Sequence, residues 1–387
     1  MIEKRLIACK FRVYPNKAQR DQFNKTFGCC RLLRNKMLEE INKTGKRNTE
    51  KEYKERFEFM KEVDSIALQQ ARIDLETAFK NYKASKEGKR KGKEVGEPKF
   101  KSKRDKQNYR TIVTNNKTIN FTDKTIKLPK VKGTIKFRDK RIFEGEIKNV
   151  TVEKNKVNQY FCVILVEEDF EKEIHQVSSN SKTIGLDYDS KNLFTDNQGN
   201  IGSYPRFYRK YEEKLGNLQR QFSKTKKRGK NRDRLRLRIA KLNLKIRNSR
   251  NEFHQKLTTK IVKEYDIIGI EDINMVGIAR SLNLAKSTLD NAWGYFRNML
   301  EYKCEWYGKH LVYANKRYAS SKICSNCGYK NVELKLSDRE WDCPICHTHH
   351  NRDMNAGQNL LNHALTELAV GTTVKSLEAT DLIICSG

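Results

Sequence analysis

Two cysteine pairs, Cys324-Ser-Asn-Cys327 and Cys343-Pro-Ile-Cys346, stand fifteen residues apart. Two residues between thiols is the span of a knuckle turn, and Gly328 follows the first pair where such a turn closes. The spacing C-x2-C-x15-C-x2-C brings four thiolates to one tetrahedral point, so it predicts a small fold built on Zn²⁺. Trp341 is placed to cover so small a core. Four thiolates leave no open coordination position, which makes the ion structural. His347, His349 and His350 are then bystanders or nucleic-acid contacts. The other six cysteines, Cys9, Cys29, Cys30, Cys162, Cys304 and Cys385, are scattered. In a long chain without an export signal they are expected to be reduced bystanders.

Charge narrows the choice of partner. The 387 residues, enough for two or three domains, carry 80 Lys and Arg against 48 Asp and Glu, a formal +32. A compact fold with that surplus repels itself, and a polyanion relieves the repulsion. Nucleic acid is the matching partner, bound through phosphates and therefore salt-dependent. The surplus is concentrated. Residues 80–110 hold 13 basic against 4 acidic side chains, and residues 223–250 hold 13 against one. The opening MIEKRLIACKFRVYPNKAQ alternates charge with short apolar pieces, and no uninterrupted apolar run is long enough to span a bilayer. The expectation is a cytoplasmic, nucleoid-associated protein without a membrane partner.

The periodicity of apolar residues organises the chain. Residues 5–14 read as a strand, and three- and four-residue spacings from Lys17 to about Tyr82 read as helix. Gly96 and Pro98 interrupt the basic stretch that follows. From Tyr109 to Glu168 short β runs alternate with turns, as in a small barrel or sandwich. After a linker at Ser178–Lys182 come a strand at Thr183–Tyr188, a hairpin around Asn197–Asn200, a helical region over 206–265, strands at Asp266–Glu271 and His310–Ala314, and a helix from about Met354 to Leu365. In the helical region Leu235, Ile239, Leu242, Ile246, Phe253, Leu257 and Ile261 form one inward seam opposite a basic face.

Three separated acids carry the chemistry. Asp187 lies within an apolar strand, Glu271 ends another, and Asp353 stands where a helix begins. Each has an ordinary reading as a strand-end acid or a cap, and an N-cap role suits Asp353. Together they fit a carboxylate cluster for two divalent cations, whose hard oxygen donors select Mg²⁺ or Mn²⁺. Spacing alone does not separate Asp187 from Asp189, or Glu271 from Asp272.

The runs GLDYDSKNLFTDNQG and IIGIEDINM, the cysteine segment KRYASSKICSNCG with LSDREWDCPICH, and NRDMNAGQNLL resemble the TnpB family of transposon-encoded, RNA-guided DNA endonucleases. That family is held to be ancestral to type V CRISPR effectors. The resemblance extends to ACKFRVYPNKAQRDQFNKTFGCCRLLRNKML, ALQQARIDLETAFKNY, GEPKFKSK, RNEFHQK and AWGYFRNMLEYK, and covers essentially the whole chain in the family's order. It implies an α/β fold plus β: a wedge β-barrel over 1–15 and 96–178, interrupted by a helical recognition lobe over 16–95. An RNase H-like RuvC nuclease domain would span 179–319 and 351–375. A zinc ribbon that binds target nucleic acid (320–350) is inserted in it, and a tail (376–387) follows.

The resemblance assigns the catalytic, Mg²⁺-holding acids to Asp187, Glu271 and Asp353, and the zinc to Cys324, Cys327, Cys343 and Cys346. It implies a monomeric protein with a guide RNA from the transposon end, cutting double-stranded DNA beside a short flanking motif. Gln69, Gln70 and Tyr109 are candidates for the flanking-motif side. Lys99, Arg110, Lys226, Lys227, Arg228, Arg232 and Arg236 are candidates for phosphate contacts. Two departures stand out: GLDYDS where GLDLG is usual, and NRDMNAGQN where DRDxNAAxN is usual. Neither removes an acid. A compact type V CRISPR effector and a catalytically silent RNA-guided DNA-binding repressor are the rival readings of the same residues.

Overall fold

The computed structural model describes residues 2–46, 48–90, 92–112, 119–120, 123–139, 145–171, 174–275, 277, 285–316, 318–335 and 337–384. Cys385 lies outside them, as do parts of the expected strands TIVTN and TINF. The chain divides into two compact units, Met1–Glu171 and Lys172–Gly387. The boundary falls before the expected linker because β7 ends at Glu171, while the His175 amide already donates to Gly308 O in the second unit.

The first unit is a seven-stranded antiparallel sheet with helices between its first two strands in sequence. Its strands are β1 (Ile2–Tyr14), β2 (Gln107–Thr111), β3 (Ile119–Asn120), β4 (Thr125–Ile126), β5 (Ile135–Phe137), β6 (Glu146–Lys154) and β7 (Tyr160–Glu171). The spatial order is β2-β6-β7-β1-β5-β4-β3. Among the described residues no pairing joins β2 to β3, so the expected barrel is seen as a continuous sheet. β7 shows why it forms. Tyr160, Cys162, Ile164 and Val166 alternate inward, and the strand pairs with β1 from Tyr160 to Glu171.

The helices are α1 (Lys17–Thr44), α2 (Glu50–Arg56) and α3 (Ser65–Lys86), with a 3-10 turn at Glu58–Glu62. Asn16 and Gln19 close a reciprocal capping box on α1, and Gly45 ends it at φ 69°. Phe23, Phe27, Leu33, Met37, Leu68 and Leu75 join the inward residues of the sheet in one core.

The second unit has a four-stranded sheet in the order β11-β10-β8-β9. β8 (Thr183–Tyr188), β10 (Ile267–Glu271) and β11 (His310–Ala314) run parallel, and β9 (Phe194–Asp196) pairs antiparallel with β8. Parallel neighbours need long crossovers, and helices supply them. α4 (Phe207–Ser223) and α5 (Lys230–Glu264) link β9 to β10; α6 (Ala285–Asn291) and α7 (Trp293–Trp306) link β10 to β11.

The region expected to be helical over 206–265 is thus two helices, because Lys224–Gly229 turns the chain back. Its apolar seam divides accordingly. Leu242 and Ile246 close on Leu215 of α4, whereas Ile261 joins the sheet core. After β11 the chain forms the cysteine segment with its hairpin β12 (Glu340–Asp342) and β13 (His349–Asn351), and then α8 (Arg352–Ile384). α8 extends well past Leu365, through most of the expected tail. The strand limits predicted for β8 and β11 are those observed.

Candidate active site and cysteine cluster

Two strands repeat one pattern, glycine, then an apolar residue, then an acid: Gly185-Leu-Asp187 on β8 and Gly269-Ile-Glu271 on β10. Side chains two apart on a strand share a face. Gly185 pairs with Gly269 in register, and one further residue pair is Leu186 with Ile270. Both glycines face α8. A Cβ on Gly185 would lie 1.9 Å from Gly357 O, and one on Gly269 would lie 2.4 Å from Leu360 O. A Cβ on Gly357 would in turn meet the backbone of Asp196 and Asn197 at 2.8–2.9 Å. Three absent side chains therefore let α8 settle onto the sheet, with Asp353 one turn before Gly357.

Electrostatics shows the result. Burial first, then the negative charges of Glu271 and Asp353, pushes the Asp187 carboxyl well above the usual carboxylate range, against a smaller opposing pull from Arg352. Burial also raises Glu271. Asp353 has a different environment. Arg339 Nη1 donates to its two oxygens at 3.2 and 3.4 Å, and Arg352 Nη2 donates to Oδ1 at 3.3 Å. Asp353 is not the helix cap: Asn351 Oδ1 accepts from the amides of Asp353 and Met354, both at 3.2 Å, which leaves the Asp353 carboxylate available. Glu271 and Asp353 both act on Asp187, but the three carboxylates do not gather within 4.8 Å of one another. Among the described residues, the cysteines are the group of His, Cys, Asp or Glu whose ligand atoms all lie within 4.8 Å.

The neighbouring acids that spacing could not exclude have other partners. Asp189 accepts from Lys191 N and Asn192 Nδ2, both at 2.7 Å, and so closes the turn after β8. Asp272 pairs with Arg297 at 2.6 Å and with Lys316 at 3.5 Å.

The four cysteines lie together as the spacing predicts. Cys324 Sγ is 3.6 Å from Cys346 Sγ, and Cys327 Sγ is 3.5 Å from Cys343 Sγ. Zinc at about 2.3 Å from each sulfur of a tetrahedron needs edges of about 3.8 Å, so the donor set fits. Hydrogen bonds from Thr348, side chain first, pull Cys346 down to about 5, while its neighbours Cys324 and Cys327 are pushed up, so without metal the clustered sulfurs do not all ionise together. His350 is not a bystander. It is buried, packs at a tilt against Trp341 with ring centroids 4.8 Å apart, and holds Nε2 3.0 Å from Cys324 Sγ, in position to steady a sulfur. His349 is exposed and bonds Asp342 at 2.8 Å.

Asn355 and Asn359, buried on α8, donate to Ile323 O at 2.7 and 2.6 Å, and Asn355 Oδ1 accepts from Ser325 N. The helix that carries Asp353 is thereby fastened to the first cysteine knuckle. Sequence reasoning missed this link and the three glycines. The repeated glycine-x-acid pattern was the available signal.

The candidate nucleic-acid contacts separate into groups. Lys99, Lys226, Lys227 and Arg228 are exposed, the last three in the turn between α4 and α5. Gln69 is exposed and Gln70 half-buried on α3. Arg236 is exposed and pairs with Asp233. One candidate is corrected by its burial. Tyr109 belongs to the core, 5% exposed between Phe23 and Phe27, because β2 turns it inward. Arg232 serves the turn, bonding Phe222 O and Thr225 O and lying 3.9 Å over the Phe222 ring. Arg110 is part of an ion pair with Asp74 at 2.6 Å.

Of the scattered cysteines, Cys9, Cys29, Cys30, Cys162 and Cys304 are buried, and none of them forms a disulfide among the described residues. No helix of the described residues is long and apolar enough to cross a membrane.

Comparison with known proteins adds three family matches: a helix-turn-helix domain over residues 1–50, "Probable transposase" over 160–282, and "Cas12f1-like, TNB domain" over 293–360. The first covers a strand and one long helix here. A Streptomyces pristinaespiralis protein named "Putative RNA-guided DNA endonuclease" is 31% identical over 383 residues, 95% of this chain and 92% of that protein. InsQ of Escherichia coli K12, named likewise, is 28% identical over 401 residues, 96% of each chain. Among solved structures, a Cas12f1–sgRNA–target DNA complex matches at TM-score 0.48 and 12% identity, over 93% of this chain and 98% of that one.

Proposed function

This chain belongs to the TnpB family, and from that premise we propose that it is an RNA-guided DNA endonuclease with a single acid-built nuclease site. The observation that supports the reading is the close, glycine-mediated packing of α8 on β8 and β10, together with the charges of Glu271 and Asp353 acting on a buried Asp187. In this reading the first unit supplies the wedge and recognition lobe, the second the RuvC nuclease, and the cysteine segment a zinc ribbon.

The carboxylates suit Mg²⁺ or Mn²⁺. They are hard oxygen donors, and Asp187 is desolvated among like charges, a condition a cation relieves. Asp187, Glu271 and Asp353 would hold the ions, which when bound supply an activated water and stabilise the leaving oxygen of a phosphodiester. The chain's own part is positional. Strand register pairs Leu186 with Ile270, the residues just before Asp187 and Glu271, Asn351 caps α8 so that the Asp353 carboxylate is not used as the cap, and Arg339 and Arg352 balance its charge. Zinc at the four cysteines would keep the first knuckle folded, and with it the Asn355 and Asn359 anchors of α8.

The partners in this reading are a guide RNA from the transposon end and a double-stranded DNA target. Base pairing reads sequence, and the protein reads backbone shape and a short flanking motif. The test is to purify the protein from cells carrying its gene with flanking DNA and to sequence the bound RNA. Plasmids matching that RNA, with a randomised flank, are then offered to wild type and to Asp187→Ala. We expect a discrete RNA and flank-dependent cutting in Mg²⁺. Since losing even an outer partner of a metal ligand costs 10–100-fold, Asp187→Ala should lose more than about 100-fold. RNA binding without cutting by wild type would replace this reading with a silent regulator.

A further inference from the structure

The first unit encloses a cavity of about 190 Å³ between α1, α3 and the segment that leads into β2. Its charged lining is lopsided: Arg31, Arg34, Lys101, Lys106 and Arg110 face a single acid, Asp74. That acid is taken by Arg110 at 2.6 Å, and Lys106 pairs with Glu153 at 2.9 Å. Arg31, Arg34 and Lys101 have no ion pair among the described residues. Arg31 donates to Gln107 Oε1 and Arg34 to Lys99 O, both neutral acceptors. Arg34 is also 7% exposed, a depth at which an arginine without a carboxylate is uncommon.

The arrangement is fixed rather than accidental. Asn35 clamps the backbone of Lys101, accepting from its amide at 2.9 Å and donating to its carbonyl at 2.8 Å. With the Arg34 bond to Lys99 O, the Lys99–Lys101 segment is fastened to α1 while its side chains stay exposed. Burial lowers the pKa of both Arg34 and Lys101 and the Arg34 charge lowers Lys101 further, while Asp74 acts in the opposite sense on both and Asp105 on Lys101. A buried Arg34 with Arg31 and Lys101 beside it, and a single acid in the lining, favours a further anion in the pocket.

We propose that this cavity is a phosphate-binding site that receives one backbone phosphate of a nucleic-acid strand, held by Arg31, Arg34 and Lys101. The size of the cavity supports a group rather than a whole cofactor, since small-molecule pockets usually run to roughly 300–1,000 Å³. Arginine forks and a lysine ammonium are suited to phosphate oxygens. The inference rests on the reading that this chain works on nucleic acid, and it gives the basic stretch over residues 80–110 a particular task.

The test uses the full-length protein freed of nucleic acid by high salt. Acylation of lysines is followed by mass spectrometry alone, with inorganic phosphate, and with a short single-stranded RNA; Lys61, exposed on the 3-10 turn, is the reference. RNA is expected to slow acylation of Lys101 several-fold relative to Lys61. Lys101→Gln and Arg31→Gln are each expected to weaken RNA binding and to lower its salt slope by about 0.7, one phosphate contact on a single strand, with melting temperature unchanged. Protection by phosphate ion but not by RNA would replace the strand with a free anion. An unprotected Lys101 in RNA-saturated protein, or variants that bind like wild type, would overturn the site and leave the proposed function standing. Failure of the wild type to bind any RNA would overturn both.

Discussion

Asp187 is the residue on which environment and role meet. Its carboxyl is raised by burial and by two neighbouring acids, so the fold without metal disfavours its charged form. An acid raised in the folded state contributes stability fully below its unfolded pKa, and loses that contribution as pH rises through the folded pKa. Near neutral pH the ionised Asp187 therefore works against the metal-free fold. Asp187→Asn should raise the melting temperature of metal-free protein at pH 7.5 by roughly 2–4 °C for each ~1 kcal/mol relieved, and the gain should vanish in acid. Calorimetry at two pH values in chelator checks this. An equal gain at both would remove the electrostatic account. The sequence marked Asp187 but left Asp189 equal to it. The fold parts them, because Asp189 closes a turn with Lys191 and Asn192.

Among the elements, α8 decides the site. Gly185→Ala would drive a Cβ into the Gly357 carbonyl, a backbone atom that moves only with the helix. Overpacking of this kind costs about 1–3 kcal/mol or more. It should also displace Asp353, so cutting should fall further than stability alone explains. Gly28→Ala is the control. Gly28 lies inside α1 with no atom within 4 Å of its added Cβ, and the change should stabilise by about 0.5–1 kcal/mol. Thermal melts and plasmid cleavage of both variants separate these outcomes.

The cysteine segment is the second element on which α8 depends. Cys343→Ser should lower zinc content below one per chain and lower the melting temperature of the second unit, since zinc binding contributes folding energy directly. Because Asn355 and Asn359 hold Ile323 O, cutting should fall as well. Unchanged metal content and melting would remove zinc from the fold. The elements were legible where they are local. β8 and β11 have their predicted limits, whereas the α4–α5 turn was missed because Lys224–Gly229 continues the basic composition of the helices it joins.

At the scale of the whole molecule the +32 charge governs association. Lys226, Lys227 and Arg228 stand exposed in the turn between α4 and α5. Replacing all three with Gln should weaken RNA binding at low salt and reduce the slope of log affinity against log salt by about 2. Titration at several salt concentrations measures it, and an unchanged slope would free the turn from any phosphate contact.

What the sequence by itself determined was the chemistry that depends on spacing and composition. The cysteine pairs sit at ligand spacing, the acids fall at strand and helix ends, and the basic surplus calls for a polyanion. These are properties of neighbours in the chain and of totals, so no fold is needed to read them. Only the tertiary structure decided which groups are exposed, paired or brought together. Tyr109 became core, Arg232 became a turn fastener, and His350 came to support a sulfur. Gly185, Gly269 and Gly357 became the contact that seats α8. Those outcomes depend on side chains far apart in sequence competing for the same space and charge, which a linear pattern cannot express.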